Sequence, residues 1–210
     1  MPDIPFAWRI GALLLISVIA VALDQRRPPE ERNRWREYSV LLLCTSLGIA
    51  VGIGIDRITV SISPEYFLYG KGIPDGPGFL TRVLLLGAQA GASAGAIGGA
   101  VLLIVNRQPH QAFKLLPLAT LPIVGALLLG VAFGLTQHFA APVTLEEADE
   151  LLAPEAATKF ILVWVIHVGI YSGAALGLIV AALRLRGSKR IAIDETRDSA
   201  HCPYPPGRSR

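Results

Sequence analysis

The sequence predicts an all-α fold, an integral membrane helical bundle with five transmembrane helices. Apolar residues make up 52% of the 210-residue chain and charged residues only 17%, whereas a soluble domain carries about 25% charged residues. The apolar residues are collected into long runs that are nearly free of charge. Within these runs the hydrophobicity is continuous and lacks the alternation that marks the strands of a transmembrane β-barrel.

Each predicted helix corresponds to a run that is long enough to cross the hydrocarbon core of a bilayer, which needs roughly 20 apolar residues. Helices are expected because a backbone that faces lipid must satisfy its own hydrogen bonds. The five runs cover residues 5–23, 38–55, 83–105, 115–136 and 160–183.

The first run, 5–23, has two interpretations. It contains Arg9, and the sequence Ala-Val-Ala at 20–22 resembles the cleavage site of a signal peptide. Cleavage would leave four transmembrane helices. It would also place the arginines of 26–36 outside and the acidic residues of 146–155 inside, which inverts the positive-inside rule. An uncleaved first helix is therefore favoured.

The basic residues predict how the bundle is oriented. With five helices and the N-terminus outside, 14 of the 19 Lys and Arg residues fall on the inner side, in 24–37, 106–114 and 184–210. The acidic residues of 146–155 then fall on the outer side. The predicted topology is N-out, C-in.

Two outer segments are predicted to form a small extracytoplasmic cap, the 57–79 loop and a short helix over 143–153. Residues 57–63, RITVSIS, alternate between polar and apolar side chains, which is typical of a strand or an extended segment. Thr144 and Glu147 have the spacing of a capping box at the start of the short helix. That helix would present one apolar face, formed by Leu145, Ala148, Leu151 and Leu152.

The chain is expected to divide into two parts. Residues 1–183 form the bundle with its outer loops. Residues 184–210 form a polar cytoplasmic tail, whose composition cannot bury a core and therefore predicts disorder.

Glycines at four-residue spacing predict close helix packing. Such spacing lets two helix backbones approach, so that van der Waals contact replaces the hydrophobic drive that is missing in lipid. Packing within one chain is favoured over packing between chains, because four predicted helices carry small residues in this pattern. The clearest seams are Gly87, Gly91, Gly95 and Gly99 in one helix and Gly169, Gly173 and Gly177 in another.

His167 is the ionisable residue that lies most clearly inside a predicted span, and such a residue is a functional hypothesis by default. Tyr171 is one turn further along the same face, and Gln89 and Ser93 on another helix are candidate partners at membrane depth. The favoured interpretation is a neutral histidine that hydrogen-bonds one of these residues and so holds two helices together. A proton relay is the alternative. A metal site would need several ligands at one depth, so no metal and no cofactor are predicted.

The segment DRITVSISPEYF supplies a second candidate site, at the outer loop. Asp56 and Arg57 end the predicted second helix, and Glu65 and Tyr66 follow the extended segment. The carboxylates could bind a cation or a basic partner. The favoured interpretation is that they pair with Arg57 or Arg82 and hold the loop.

The same segment resembles a stretch found in bacterial multi-pass membrane proteins to which no function is assigned, D-Q-(I or V)-T-x-x-I-x-x-E-Y-F after an apolar helix. The residues that match include Asp56, Thr59, Glu65 and Tyr66, whereas Arg57 stands where that family has Gln. The resemblance covers about a dozen residues. It implies a bacterial inner membrane location and a recurrent outer loop.

The predicted function is that of a non-enzymatic membrane component that packs with a partner protein or forms a homo-oligomer. The signatures of P-loop proteins, zinc proteases, serine hydrolases and dithiol redox proteins are absent from the sequence. The runner-up is a small-solute or proton transporter that uses His167 and Tyr171. The basic inner residues are explained by orientation and by anionic lipid, so the bilayer is the expected partner and nucleic acid is not.

Overall fold

The computed structural model describes residues 35–106, 109–140 and 144–200, together with residues 11, 15, 18–19, 21–26 and 28. The described part is helical, which confirms the all-α fold class. Four of its helices are long and apolar enough to cross a membrane. The first predicted span, 5–23, lies largely outside the described residues, so a fifth transmembrane helix stays a prediction.

The four long helices coincide with the last four predicted spans and extend beyond them at every end but one, the start of the span 115–136. A π-helical turn, a 3-10 turn and one short helix lie between them. The elements in chain order are α1 (Trp35–Ile62), the π-helical turn (Tyr66–Gly70), α2 (Phe79–Asn106), the 3-10 turn (Pro109–Leu115), α3 (Leu116–Phe139), α4 (Glu146–Leu151) and α5 (Pro154–Ala200).

The prediction of an extended segment over 57–63 was wrong, because α1 continues to Ile62. The polar side chains of this segment turn back onto the helix: the Thr59 hydroxyl donates to the Ile55 carbonyl at 2.9 Å, and the Ser61 hydroxyl donates to the Ile58 carbonyl at 2.6 Å. A period-two pattern is ambiguous over only seven residues, and here the packing of α1 against its neighbours decides in favour of helix.

Helices α1 and α2 are antiparallel and pack backbone to backbone through glycines. A Cβ atom added at Gly48 would overlap the Gly91 carbonyl, and one added at Gly52 would overlap the Gly87 carbonyl. Further along, a Cβ atom added at Gly95 would overlap the Cys44 carbonyl. Any side chain at these positions would push the two helices apart.

Helices α3 and α5 form a second pair of the same kind. Gly173 lies against the backbone of Gly125, Gly169 against that of Leu129, and Gly177 against that of Leu121. Contact is far more extensive within each of the two pairs than between them. The bundle is therefore two glycine-packed pairs, α1–α2 and α3–α5, set side by side.

The chain between α1 and α2 folds into an ordered cap over the end of the bundle. Val60, Phe67, Ile73, Val83 and Val163 belong to one buried cluster there. The loop turns through three glycines with positive φ, at 72, 76 and 78. The Arg82 guanidinium holds this loop by donating to the carbonyls of Pro74 at 2.7 Å and Pro77 at 3.0 Å.

Helix α4 adds a second piece of the cap, but it is shorter than the predicted 143–153 helix. Its N-cap residue is Leu145, which makes no side-chain capping hydrogen bond, so the predicted capping box with Thr144 as N-cap is wrong. Leu145, Ala148 and Leu152 pack against α5, whereas Leu151 is 72% exposed, contrary to its predicted place on the apolar face. Six residues make fewer than two turns, which is too short to present four residues to one surface.

Helix α5 extends past the apolar segment and ends at Ala200. The chain is thus helical over the first part of the predicted polar tail. Lys, Arg and Glu are good helix formers, so composition alone does not separate a solvated helix from a disordered segment.

Candidate functional site

His167 and Asp56 form a buried pair that connects α5 to α1. His167 Nε2 lies 3.2 Å from Asp56 Oδ1, and the side chains are only 5% and 9% exposed, respectively. The two residues are 111 positions apart in sequence. Because α1 and α5 belong to different helix pairs, this contact ties the two halves of the bundle together.

The contacts of His167 fit a proton that lies between the two side chains. Its Nδ1 atom lies 2.9 Å from the Val163 carbonyl, and a carbonyl oxygen only accepts, so Nδ1 carries a hydrogen. Nε2 then faces the Asp56 carboxyl group either as a donor or as the acceptor of a carboxyl hydrogen. With that proton in place, the pair is an imidazolium with a carboxylate or a neutral imidazole with a carboxylic acid, and its net charge is zero in both forms.

Without a hydrogen between them, the two side chains would fit this arrangement poorly. The lone pair of His167 Nε2 would then face a lone pair of the Asp56 carboxylate. The negative charge of the carboxylate would be buried without a partner, which is unfavourable. The alternative is a change of tautomer, which would give up the hydrogen bond to the Val163 carbonyl. The hydrogen bond of His167 with the Val163 carbonyl and its contact with Asp56 therefore constrain each other.

Two aromatic residues of the cap enclose His167. The Tyr66 ring stacks on the imidazole with centroids 4.9 Å apart and an interplanar angle of 25°, and the Phe67 ring meets it edge-on at 6.2 Å. Both aromatic residues are buried. Burial raises the pKa of the Tyr66 phenol, and the charges of Tyr171 and Asp56 act in the same direction. Tyr66 therefore remains a neutral, hydrogen-bearing ring over the pair.

The sequence after α1 places Tyr66 over the site. Ser63 follows the last helical residue, and its buried hydroxyl accepts a hydrogen bond from the Tyr66 backbone N–H at 3.3 Å. The same hydroxyl donates to the Glu65 carboxylate at 3.0 Å. The turn that these bonds close sends the chain back over the bundle, so Tyr66 and Phe67 reach His167.

Gly87 of α2 makes room for the Asp56 carboxylate. A Cβ atom at this position would lie 2.7 Å from Asp56 Oδ2 and 3.0 Å from Asp56 Cβ. The residue therefore has two roles in the structure. It allows the backbones of α1 and α2 to touch, and it leaves the space in which Asp56 turns toward His167.

The two predicted sites are partly one site in the structure. Asp56, Tyr66 and Tyr171 all lie near His167, and the Tyr171 ring centroid is 6.2 Å from that of the imidazole. The predicted arginine partners do not join them. Arg57 is exposed, and Arg82 holds loop carbonyls.

Gln89 and Ser93 do not contact His167, and their proposed partnership with it was wrong. Both residues are exposed on the side of α2 that faces away from α1. The Ser93 hydroxyl donates to the Gln89 carbonyl at 3.0 Å, within the helix. The predicted depth of Gln89 and Ser93 in the membrane would allow a contact with His167. Their side chains, however, lie on the opposite side of the α2 axis.

Sequence reasoning named Asp56 and His167 but did not join them. The second predicted apolar run covers 38–55, so Asp56 is expected at the outer end of the helix and outside the run. Had the helix been extended through 56–62, Asp56 would have been an ionisable residue inside a span, and such residues need a partner. His167 was the matching candidate.

A cavity of about 330 Å³ lies between the two helix pairs, beside the His167–Asp56 pair. Its walls are formed by Gly, Ala and aliphatic residues of all four long helices, with the Tyr171 side chain at the border. Tyr171 also approaches the imidazole ring, so it is next to both the cavity and the pair. The lining of the cavity is almost entirely apolar.

The pair is better suited to hold a proton than a metal ion. Nε2 of His167, the nitrogen that could bind a metal, already faces the Asp56 carboxyl group. The part of the chain that the structure describes contains no cluster of three or more His, Cys, Asp or Glu residues that could hold a metal ion.

Comparison with known proteins gave no match to this chain: no protein-family model, no curated protein and no solved structure is significantly similar to it.

Proposed function

We propose that the chain is a multi-pass membrane protein that binds another protein subunit within the membrane and does not catalyse a reaction. The observation that carries this proposal is the position of Gln89, a polar side chain on an exposed face of an apolar helix. An amide that faces hydrocarbon without a partner is unfavourable by several kcal/mol. A protein subunit against this face would remove that cost.

The interior of the bundle supports the same proposal. A carrier is expected to line one path across the bundle with polar residues, whereas the walls of the cavity between the helix pairs are apolar. His167 and Asp56 are covered by Tyr66 and Phe67, and they join helices. His167 and Asp56 are thus explained as a structural contact. The exposed face of α2 that carries Gln89 is the surface that we assign to a partner.

We place the protein in a bacterial inner membrane with its cap outside. This orientation is supported by the basic residues at the end of the bundle opposite the cap, where Arg36, Lys114, Arg184 and Arg186 lie. The acidic residues Glu65, Asp75 and Glu146 lie in the cap. The positive-inside rule then places the basic end in the cytoplasm.

The mass of the protein particle tests this function. The full chain, extracted in mild detergent or in lipid nanodiscs, is expected to have a protein mass above the 22.4 kDa of one chain in light scattering with the detergent or lipid contribution subtracted. His167→Gln is the control, since it alters the interior and should leave the mass unchanged. A particle that contains one chain and no other protein would contradict the proposal.

Proton transport is a second candidate function, and the shared proton of His167 and Asp56 favours it. Intramembrane ionisable pairs often mark proton pathways, and this one lies beside a cavity through Tyr171. In this alternative the bundle would carry the proton by opening between its two helix pairs.

A proton-flux measurement distinguishes the two candidate functions. The purified chain is reconstituted into vesicles that hold a pH-sensitive dye inside. Proton transport predicts that the full chain dissipates a pH gradient faster than empty vesicles do, and that His167→Gln and Asp56→Asn abolish the difference. His138→Gln is the matched control, because His138 is exposed at the end of α3. Equal leakage with and without protein would exclude this second candidate.

A further inference from the structure

A groove of about 390 Å³ opens on the side of the bundle between α1 and α3, in the half that carries the cap. We call it the lateral groove. Partly buried residues of α5, Ile166 and Ile170, form its floor. Exposed residues stand at its edges, Ile58 on α1 and Val131 on α3. The groove therefore faces the lipid when the bundle spans a membrane.

The lateral groove continues into the cavity between the two helix pairs. Ile55 of α1 and Ile170 of α5 line both spaces. On α3 the lining passes from Leu127 in the groove to the adjacent Ala126 in the cavity. The two spaces thus form one path that leads from the side of the bundle to its centre.

The length of the lateral groove matches one leaflet of a bilayer. Along α3 its lining runs from Leu127 to His138, which is 11 positions or about 16 Å at about 1.5 Å per residue. One leaflet contributes about 15 Å to a hydrocarbon core about 30 Å thick. A lipid whose headgroup lies level with His138 can therefore lay an acyl chain along the whole groove and bring its end to Ile55 and Ile170.

The lining of the lateral groove is suited to hydrocarbon. Apart from Thr59 and His138 it consists of Ile, Leu, Val and Gly. The Thr59 hydroxyl already donates to the Ile55 carbonyl at 2.9 Å, and His138 is exposed at the end of α3. Apolar spaces of this kind stay dry and take up apolar molecules. The groove thus favours an apolar chain over water or a polar solute.

A polypeptide helix is too wide for this path. With its side chains a helix is at least about 10 Å across and fills roughly 1,200 Å³ over about 16 Å of length, about three times the volume of the lateral groove. A helix formed by the apolar run 5–23, or by another protein, could lie across the opening but could not enter it. An acyl chain is thin and flexible, and acyl chains surround the bundle in a bilayer.

We propose that the lateral groove binds one acyl chain of a phospholipid from the leaflet on the cap side, and that the end of this chain enters the cavity at Ile55 and Ile170. The chain packs between the two halves of the bundle, where helix contact is less extensive than within each glycine-packed pair. This site goes beyond the proposed function and does not depend on it.

Photolabelling from within the bilayer tests the site. The full chain is reconstituted into vesicles of phosphatidylethanolamine and phosphatidylglycerol. The probe is a phosphatidylglycerol with a photoreactive diazirine near the end of one acyl chain, and mass spectrometry locates the labelled residues. Ile55 and Ile170 are expected to carry severalfold more label than Leu128. Leu128 is the control because it is an aliphatic residue of equal size that is 65% exposed and does not line the lateral groove.

A variant at the edge of the lateral groove tests the route of entry. Val131→Trp introduces a larger side chain there and is expected to reduce the label at Ile55 and Ile170 severalfold. Ala132→Trp is the matched control, since the next residue is also exposed but does not line the groove, and it should leave the label unchanged. Thermal unfolding should be alike for the two variants, because both positions are exposed.

Three results would overturn the proposal. Equal label at Ile55, Ile170 and Leu128 in the unmodified protein would refute a specific site, and this comparison needs no variant. Label at Ile55 and Ile170 that Val131→Trp leaves unchanged would show that the chain does not enter through the lateral groove. Label on residues 5–23 with none at Ile55 and Ile170 would show that the first apolar run closes the opening.

Discussion

At the scale of single residues, the structure assigns different roles to polar groups that the sequence places side by side. Asp56 turns inward to His167, whereas the neighbouring Arg57 remains exposed. The difference follows from the roughly 100° between adjacent residues on a helix. Glu65 is used in the turn that brings Tyr66 over the site. The segment from Asp56 to Phe67 is therefore one unit that builds and covers the pair.

The dual role of Gly87 gives a prediction at this scale. Gly87→Ala is expected to displace the Asp56 carboxylate and break its contact with His167, because the new Cβ would lie 2.7 Å from Oδ2. Side-chain ¹⁵N NMR of the histidines reports the change, with the His167 signal assigned from its loss in His167→Gln.

Gly91→Ala is the control for this experiment. Its Cβ would approach the Gly48 carbonyl even more closely than the Cβ at position 87 approaches the Gly52 carbonyl, but no atom of Asp56 is among its nearest neighbours. Both variants should weaken helix packing, and only Gly87→Ala should move the His167 signal. A His167 signal that is the same in Gly87→Ala and in the unmodified protein would contradict the assigned role.

At the scale of elements, the glycines determine which helices pair. The seam on α2 matches Gly48 and Gly52 on α1, and the seam on α5 matches α3 in the same antiparallel way. Glycine in a helix interior costs about 1 kcal/mol relative to alanine, so contact between the backbones must compensate for it. This contact occurs within one chain. Consequently Gly91→Leu or Gly95→Leu would test folding of the chain and not its assembly.

Two glycines of α1 provide a matched stability prediction. Gly48→Ala would overlap the Gly91 carbonyl, and we expect it to lower the free energy of unfolding by about 1–3 kcal/mol, the usual cost of overpacking. Gly54 has no neighbouring atom within 4 Å of the new Cβ, so Gly54→Ala should be neutral or stabilising by up to about 1 kcal/mol. Thermal unfolding in detergent compares them. A larger loss for Gly54→Ala would refute the role of the seam.

At the scale of the whole molecule, two closely packed helix pairs leave an apolar cavity between them. The described hydrogen bonds that cross between the pairs include that of His167 with Asp56, which lies at the cap end. The cap adds to this connection, since Phe67, Val83 and Val163 from different parts of the chain share its core. The His167–Asp56 contact and the core of the cap thus join the two halves at the same end of the bundle.

The sequence predicted much of this fold from particular residues. Apolar runs located all four long helices, because only a helix satisfies its backbone within the membrane. The glycines at four-residue spacing marked the faces on which the helices pack. The 57–63 segment and the capping box at Thr144 were predicted wrongly, since short local patterns are compatible with more than one structure.

The candidate site was predicted in pieces. The sequence by itself determined that the chain is apolar and helical, that glycine seams pack its helices, and that His167 is an ionisable residue among apolar ones. Only the tertiary structure decided that these two residues meet, and that Gln89 and Ser93 point away from them. The physical reason is that depth along a helix can be counted from the sequence, whereas the neighbour of each helix face is set by contacts between residues as far apart as 111 positions.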